Sequence, residues 1–487
     1  MAFTTTSGNP TTIQGTTLVD ILSSVDLSGN FIVKADKEAD AITLTSTTDP
    51  SQLTDVSVYG QDGADTITSP TAQLLRGRTQ GGSGADTITY GTINTYKTYG
   101  GADADTITAT TAVNSTVQGS KGNDTIGTAN AANTVGTFTV TASKVYGGAD
   151  NDTINAGITT GSTVQGSAGN DTINLSGTVS ANSKVNGGSE NDTINILNEV
   201  TEVTKGSTIN GNKGSDQIVI EATAGAVTAA VVDEVTIFGG SGADTLDNNG
   251  GRTTLSGDKG ADTINTGTGD KVSVSGGEGD DTINGEIANT ANFTTSLNGG
   301  EGNDGIALAN ANTNSIQKVQ QGRTDSTAAT AVVGNGGAGD AIANGDTVVF
   351  GNGVDVVTNM DVVDDLALGL TTTGTNITIQ AWDEDGAGGA GYYQVKNLVA
   401  GALNSTTSWG ELQEAGRTVI LGGNYAGNTF TVSNLVGGDD LLVIQADGNA
   451  LTANTSMMVV QGLDVSVADQ LDALGQQNVT GFDTYVA

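Results

Sequence analysis

The sequence predicts an all-β protein: a parallel β-roll, or β-solenoid, with stacked glycine–aspartate loops on one edge, plus a C-terminal β-rich domain. Two observations lead to this prediction. A glycine-rich motif that ends in aspartate recurs twelve times, and a branched aliphatic residue stands two positions after each aspartate. Because side chains alternate across a strand, the aliphatic residues would share one face and build a common core.

The repeat is clearest in Gly81–Ile88 and Gly276–Ile283, which read Gly-Gly-x-Gly-x-Asp-Thr-Ile or close variants of it. Successive copies are 18 to 28 residues apart, and this variation indicates one constant edge and one edge that tolerates insertions. The aspartate at the sixth loop position is the candidate metal ligand in each copy: Asp65, Asp86, Asp105, Asp124, Asp152, Asp171, Asp192, Asp216, Asp244, Asp262, Asp281 and Asp304.

Each copy also predicts two short strands. The aliphatic residue after the loop is present in all twelve copies, from Ile67 in the first to Ile306 in the last. A second apolar residue usually stands two positions before the first glycine, with Thr79 and Thr98 as exceptions. Each unit thus buries two aliphatic side chains, which is too little to fold alone. The units must therefore stack on one another.

At these residues the sequence resembles the RTX, or haemolysin-type calcium-binding, family, whose nonapeptide is Gly-Gly-x-Gly-x-Asp-x-aliphatic-x. The resemblance covers about Gly60–Ile306. It implies that the loop aspartates and neighbouring carbonyls bind Ca²⁺. Family coils carry a loop on both edges, but the longer steps here leave room for one loop per coil, so calcium is expected on one edge only. Twelve loops enclose eleven gaps, so up to about eleven ions are expected.

The loop chemistry suits this expectation, because Ca²⁺ takes six to eight oxygen ligands and glycines allow carbonyls to turn toward an ion. A metal-free solenoid remains the alternative, since Asp and Gly favour tight turns without any ion. The fourth loop position, normally Gly, is Asp103, Asp150 or Glu190 in three copies. Asp adopts left-handed geometry more readily than Glu, so the Glu190 loop is expected to be the least favourable.

The flanks predict further segments. Residues 1–55 are expected to form an N-terminal cap, 56–310 the β-roll, 311–370 a closing segment and 371–487 the C-terminal β-rich domain. Within the cap, Leu18, Ile21 and Leu22 would share a face of a short helix over Thr17–Val25.

Four shorter motifs complete this picture. Asp40 belongs to a degenerate echo of the repeat without a proper glycine loop, and Gly337–Asp340 is a remnant of it. Asp383–Gly386 is expected to be an acidic turn, with another calcium loop as the alternative. The last residues, Gly481–Ala487, resemble a C-terminal signal for type I secretion.

Composition excludes several functions. The chain has 54 acidic and 17 basic residues, a formal net charge of -37, no Cys and no His. The charge balance argues against nucleic-acid binding, and no apolar run is long enough for a membrane span. Without Cys or His, thiol catalysis and imidazole ligands are absent. Met1–Asn30 lacks the basic residues and apolar core of a cleaved signal peptide, so export by another route is expected.

These observations favour an extracellular, calcium-dependent structural protein, with a bacterial surface layer or cell coat as the first hypothesis. Calcium ions, further copies of the chain in a lattice or filament, and a cell-surface polysaccharide are the expected partners. A virion or fibre protein or an adhesin is the alternative. A carboxylate-based enzyme acting on polysaccharides is less favoured, because no paired carboxylates stand in a recognisable pattern.

Overall fold

The structure is a computed structural model of the 487-residue chain. It describes residues 4–6, 11–15, 21–26, 30–45, 51–128, 138–158, 160–176, 178–179, 182–196, 202–203, 206–220, 235–249, 253–267, 272–285, 294–309, 316–321, 331–333, 345–351, 353–359, 365–368, 377–382, 392–397, 417–432, 440–446 and 456–462.

Within these ranges the regular secondary structure is all β-strand, as predicted. None of the described residues form a helix long and apolar enough to cross a membrane. The chain divides into two compact units, Met1–Thr253 and Thr254–Ala487.

The strands of the first unit are short, most of them two to eight residues long. They are β1 Thr4–Thr6, β2 Thr11–Gln14, β3 Ile21–Asp26, β4 Phe31–Lys34, β5 Ala41–Thr45, β6 Gln52–Thr54, β7 Val56–Asp62, β8 Thr66–Ser69, β9 Gln73–Leu75, β10 Arg78–Ser83, β11 Thr87–Asn94, β12 Lys97–Ala102, β13 Thr106–Val113, β14 Thr116–Lys121, β15 Thr125–Ile126, β16 Thr139–Thr141, β17 Lys144–Ala149, β18 Thr153–Ile158, β19 Thr163–Ala168, β20 Thr172–Ser176, β21 Thr178–Val179, β22 Lys184–Ser189, β23 Thr193–Ile196, β24 Glu202–Val203, β25 Thr208–Lys213, β26 Gln217–Ile220, β27 Val235–Ser241 and β28 Thr245–Asn248.

These strands stack as the coils of a parallel β-solenoid. One strand of each coil runs into the glycine loop, and these strands pair in parallel with matching registers; we call them the loop sheet (β4, β7, β10, β12, β14, β17, β19, β22, β25 and β27). The strands that follow the aspartates form the return sheet (β5, β8, β11, β13, β15, β18, β20, β23, β26 and β28). The two predicted aliphatic columns lie buried between these sheets.

The core is larger than two side chains per coil. A third apolar column follows the second half of the return strands, where Leu53, Leu74, Ile93, Ala112 and Val140 are buried in register. This column is not evident in the sequence because the spacing after each aspartate varies. The extra burial makes each coil more stable than two aliphatic residues would.

The threonine exception at Thr79 has a local cause. Tyr90 and Tyr96 are both buried and pack edge to face at a centroid separation of 6.1 Å. Their hydroxyl groups hydrogen-bond with the Thr79 hydroxyl, and Tyr96 also donates to the Val56 carbonyl at 3.2 Å. A buried tyrosine needs a partner for its hydroxyl group, and threonine supplies one where an aliphatic residue cannot.

The predicted helix over Thr17–Val25 is wrong. Its described part lies in strand β3, which pairs in parallel with β5, so that Ile21 and Leu22 align with Ala41 and Ile42. Strand β4 likewise pairs in register with β7, with Val33 beside Val58. Tertiary pairing to the next coil therefore overrides the helical spacing of the apolar residues. Coil geometry also extends N-terminal of residue 56.

The edge opposite the glycine loops contains a buried serine column instead of a second aspartate loop. Ser115 and Ser143 accept hydrogen bonds from the backbone N–H groups of Tyr96 and Ser115 at 3.1 and 2.9 Å. Ser143 also donates to the Thr141 carbonyl at 2.8 Å. Neutral hydroxyl groups thus serve the polar backbone of these turns.

The glycine loops share one backbone conformation in both units. The second and fourth loop positions have positive φ in all twelve copies, from 73° to 145° at the second position and from 71° to 150° at the fourth. These ranges include the positions where glycine is replaced, such as Gln61, Asn212 and Asp258 at the second position. Non-glycine residues therefore adopt the same left-handed geometry, at a modest energetic cost. The neighbouring coils hold the backbone in this form.

The first glycine is needed for another reason than its φ angle. A Cβ atom on Gly166 would lie 2.2 Å from Oδ2 of Asp171, and one on Gly60 would lie 2.2 Å from Oδ2 of Asp65. The aspartate carboxylate thus occupies the space where a side chain of the first loop residue would stand. Glycine at this position makes room for the carboxylate inside the coil.

The second unit begins with the same coil and ends in antiparallel strands. Its strands are β29 Thr253–Lys259, β30 Thr263–Asn265, β31 Ser273–Glu278, β32 Thr282–Asn284, β33 Thr294–Glu301, β34 Gly305–Ala307, β35 Ile316–Gln321, β36 Ala331–Val333, β37 Thr347–Val349, β38 Asp355–Thr358, β39 Asp365–Leu368, β40 Ile377–Trp382, β41 Tyr392–Asn397, β42 Arg417–Ala426, β43 Thr429–Val432, β44 Asp440–Ala446 and β45 Ser456–Gln461.

Strand β38 joins the two parts of this unit, because it pairs in parallel with both β34 and β45. Strands β40 to β45 pair mostly in antiparallel fashion, and Val348, Phe350, Phe430, Leu442 and Val459 are among the side chains of their shared core. The alternating apolar runs of β42 and β44 thus lie in strands. Gly337–Asp340, Asp383–Gly386 and Gly481–Ala487 lie outside the described residues.

The two glycines that flank Asp304 should respond differently to alanine. At Gly299 a Cβ atom would lie 2.1 Å from Oδ2 of Asp304, whereas at Gly305 the nearest atom is the Asp281 carbonyl oxygen at 3.9 Å. We expect Gly299→Ala to destabilise the protein by about 1–3 kcal/mol, as overpacking does, and Gly305→Ala to have little effect. Thermal unfolding followed by circular dichroism measures both variants, and equal losses would contradict the role assigned to Gly299.

Candidate calcium site

The twelve predicted aspartates form buried columns, one in each unit. All twelve are exposed by no more than 2%. In the first unit the column runs from Asp65 to Asp244, and in the second it runs from Asp262 to Asp304. Neighbouring coils are about 4.8 Å apart, so the carboxylates of successive coils are close neighbours. The structure therefore brings the predicted residues together within each unit.

A backbone hydrogen bond connects each aspartate to the next. The N–H of Asp65 donates to Oδ1 of Asp86 at 2.7 Å, and the N–H of Asp171 donates to Oδ1 of Asp192 at 2.8 Å. The same bond recurs from Asp86 to Asp244 and from Asp262 to Asp304, at 2.7 to 2.8 Å. One carboxylate oxygen in each coil is thus satisfied by the coil before it.

The second carboxylate oxygen has no such donor. Oδ2 is buried and lacks a hydrogen-bond partner in Asp65, Asp86, Asp105, Asp124, Asp152, Asp171, Asp192, Asp216 and Asp281. A buried carboxylate oxygen without a donor is unfavourable unless a cation or a proton compensates it. A bound cation near Oδ2 would therefore stabilise the buried carboxylate.

Carbonyl oxygens lie beside these atoms. Oδ2 of Asp65 and the carbonyl oxygen of Gly81, the first glycine of the next loop, both lie within 2.3 Å of the Cβ position of Gly60. Within the described ranges, no three acidic side chains come together as a group that could hold a metal ion. Any bound cation must therefore draw most of its ligands from the backbone, which is the mixed oxygen set that Ca²⁺ accepts.

Burial raises the pKa values of the carboxyl groups in the columns. Desolvation raises the pKa of the buried carboxyl groups, the N–H donor of the preceding aspartate opposes the rise, and neighbouring carboxylates add to it. The pKa rises from 3.8 to about 6 for Asp171, to about 7 for Asp65, Asp86, Asp105, Asp124 and Asp281, and to about 8 for Asp152 and Asp192. Near neutral pH the metal-free column thus holds its negative charge only against a large desolvation penalty.

The acidic residues at the fourth loop position are outside this column. Asp103, Asp150 and Glu190 have φ angles of 75°, 77° and 71°. Each accepts a hydrogen bond from the backbone N–H of the fourth-position glycine in the preceding coil, at 2.9 to 3.1 Å. The pKa of Glu190 is lowered by a hydrogen bond from the Ser189 hydroxyl and by this backbone donor. The Glu190 loop therefore keeps the common backbone.

Two further aspartates extend the columns beyond the twelve. The N–H of Asp40 donates to Oδ1 of Asp65 at 2.7 Å, and the N–H of Asp304 donates to Oδ1 of Asp355 at 3.0 Å. The sequence carries a signal for Asp355, because Gly351, Gly353 and Val357 stand where the repeat has glycine, glycine and an aliphatic residue. The signal was missed because Phe350 replaces the first glycine.

A second ladder follows the exposed fifth loop position. The N–H of Asn151 donates to Oδ1 of Asn123 at 3.0 Å, and the N–H groups of Asn170 and Asn191 donate to the asparagine before them at 2.7 and 2.9 Å. These bonds point toward the preceding coil, opposite to those of the aspartate column. The two ladders together hold each loop from both sides.

Comparison with known families agrees with this geometry. The pattern of the RTX calcium-binding nonapeptide repeat matches four segments, residues 142–158, 159–177, 234–255 and 273–289. These segments contain Asp152, Asp171, Asp244 and Asp281 of the buried columns. No curated protein matches the chain. The chain therefore contains RTX calcium-binding repeats, and its β-roll is consistent with the RTX family.

Proposed function

We propose that the protein is an extracellular structural protein whose coils fold and associate when Ca²⁺ binds along the aspartate columns. The observation that carries the proposal is the buried Oδ2 atom, which recurs from coil to coil without a hydrogen-bond donor. Metal binding that satisfies a site absent from the unfolded chain contributes directly to folding.

The ions would be held by the loop aspartates Asp65, Asp86, Asp105, Asp124, Asp152, Asp171, Asp192, Asp216, Asp244, Asp262, Asp281 and Asp304, together with backbone carbonyls such as that of Gly81. When bound, Ca²⁺ supplies the positive charge that the buried carboxylates need. Eleven bound ions, the upper number expected from the sequence, would bring the formal charge from -37 to -15. Less repulsion between copies would then permit close association.

A surface layer or other cell coat fits these features best. A solenoid presents long, regular faces, and its fold depends on calcium at the millimolar levels found outside cells. The C-terminal residues Gly481–Ala487 would direct export by a type I system. A virion or fibre component or an adhesin would share the same fold, and the geometry of its assemblies would differ.

Calcium ions and protons should each stabilise the fold, and they should compete for the same buried carboxylates. The carboxyl pKa values are higher in the folded protein, at about 6 to 8, than the ordinary value of 3.8. Their contribution to metal-free stability is therefore complete below about pH 4 and is lost as the pH rises through 6 to 8. We expect the Tm of calcium-stripped protein to fall from pH 4 to pH 8, and the gain in Tm on adding Ca²⁺ to grow over the same range. If adding Ca²⁺ at pH 8 did not change the Tm, calcium would not be a folding ligand.

A matched pair of variants distinguishes calcium binding by the buried aspartate column from calcium binding by exposed acidic residues. Asp171→Asn removes a buried carboxylate, whereas Glu190→Gln removes the same charge from an exposed position in the next loop. We expect isothermal titration to show one or two fewer Ca²⁺ ions for Asp171→Asn and an unchanged number for Glu190→Gln.

The Tm of Asp171→Asn provides a second test, because its change should have opposite signs with and without calcium. Without calcium, Asp171→Asn should raise the Tm, because it removes a buried charge, and with calcium it should lower it. Equal losses of bound calcium in both variants would show that the ions bind the exposed acids instead.

Electron microscopy tests the assembly. We expect purified protein to form ordered sheets or filaments in millimolar Ca²⁺ and to lose them in EGTA. Calcium-dependent folding without any ordered assembly would leave the calcium role intact and contradict the structural role.

A further inference from the structure

The outer face of the loop sheet in the first unit carries a row of basic residues that the overall composition conceals. On each of its ten strands, two side chains point outward, and the parallel registers align them in two rows. We call these twenty positions the basic face. Its charged members are Lys34, Arg78, Lys97, Lys144 and Lys184.

The charge on this face is unusual for this chain. Basic residues make up 17 of 487, so twenty positions would hold fewer than one on average, yet the basic face holds five. None of the twenty positions is acidic, although the chain has 54 acidic residues. Besides the five basic residues, three of the twenty positions hold Tyr, and the remaining twelve hold Ser, Thr, Gln, Asn, Ile or Phe. The face is thus a positive strip on an acidic protein.

The basic side chains are available to a ligand. Arg78, Lys97, Lys144 and Lys184 are exposed. Arg78 lies over the ring of Tyr59, 5.1 Å from its centroid, and its Nε donates to the Tyr59 hydroxyl at 2.8 Å. Within the described part of the chain, the three lysines have no acidic partner, and the ion pairs seen there involve other residues, such as Arg76 with Asp55.

The spacing of the face is regular. Lys97, Lys144 and Lys184 stand on every second coil, as their alignment with intervening threonines shows. In the other row Tyr59, Tyr99 and Tyr146 also stand on every second coil, with glutamine between them. Since strands are about 4.8 Å apart, both rows repeat roughly every 10 Å.

This pattern suits a linear polymer with a negative charge on every second unit. The apolar face of a tyrosine ring can pack against the C–H face of a sugar, glutamine amides can hydrogen-bond with hydroxyl groups, and lysines can pair with carboxylates or sulfates. We propose that the basic face binds an extended acidic polysaccharide. This inference concerns a different surface from the calcium columns and does not depend on assembly of a coat.

Two other ligands fit less well. DNA carries one charge per about 1.7 Å of duplex, which is far denser than lysines about 10 Å apart. A second copy of the chain would have to offer its acidic loops, but Asp103, Asp150 and Glu190 already accept backbone hydrogen bonds within their own array.

Binding of hyaluronan, which has a carboxylate on alternate sugars, tests the proposal with the full-length, calcium-loaded protein. We expect saturable binding by isothermal titration at low ionic strength, none of neutral dextran, and a weaker Kd as salt increases. The double variant Lys97→Gln, Lys144→Gln should weaken binding at least tenfold. Its matched control, Lys121→Gln with Lys213→Gln, removes the same charge from the loops and should change the Kd less than twofold.

Tyrosine variants separate stacking from general charge attraction. Tyr99→Leu with Tyr146→Leu should weaken binding about fivefold without changing its salt dependence. The proposal is overturned if hyaluronan does not bind, if both lysine pairs weaken binding equally, or if oligo(dT) binds more tightly than hyaluronan. It is also overturned if the Lys97, Lys144 variant changes the sedimentation of the protein alone, because the face would then be a contact between copies. Circular dichroism of each variant checks that the fold is retained.

Discussion

The burial of one carboxylate in every coil is the constraint on which the rest of the structure depends. A carboxylate inside a protein is stable only when hydrogen bonds and a positive charge compensate it. Here Oδ1 takes a backbone donor from the preceding coil, whereas Oδ2 remains without one, as in Asp86 and Asp105. The buried carboxylates of successive coils therefore each favour the binding of a cation.

Other features of the loops follow from that constraint. The first glycine leaves room for the carboxylate, and the positive φ at the second and fourth positions turns the chain around it. At the opposite edge, buried serines such as Ser143 serve the turns with neutral hydroxyl groups. The two edges of these coils thus satisfy their backbone groups by different chemistry: carboxylates at the glycine loops and hydroxyl groups at the serine turns.

The repeating part of the fold was predictable because its signal recurs and is local. The aliphatic residue two positions after each aspartate, such as Ile88 or Ile173, predicted the buried column and its register. Features that depend on contacts between coils were not predictable. The strand at Ile21 looks helical in isolation, Asp355 lacks the first glycine, and Glu190 seemed unsuited to a backbone that its neighbours impose. The basic face escaped notice because its residues are about two coils apart in sequence and align only after the coils stack.

The direction of the aspartate hydrogen bonds has an evolutionary consequence. Each coil contributes one N–H donor toward the following coil and one carboxylate acceptor toward the preceding one, as Asp171 does with Asp192 and Asp152. A duplicated coil inserted inside the array brings both halves of this bond, so it leaves no donor or acceptor unmatched. A coil added or lost at a terminus changes which group ends the column. Gene duplication can therefore lengthen the array from within, whereas the coils of Asp40 and Asp355 depart from the glycine pattern of the repeat.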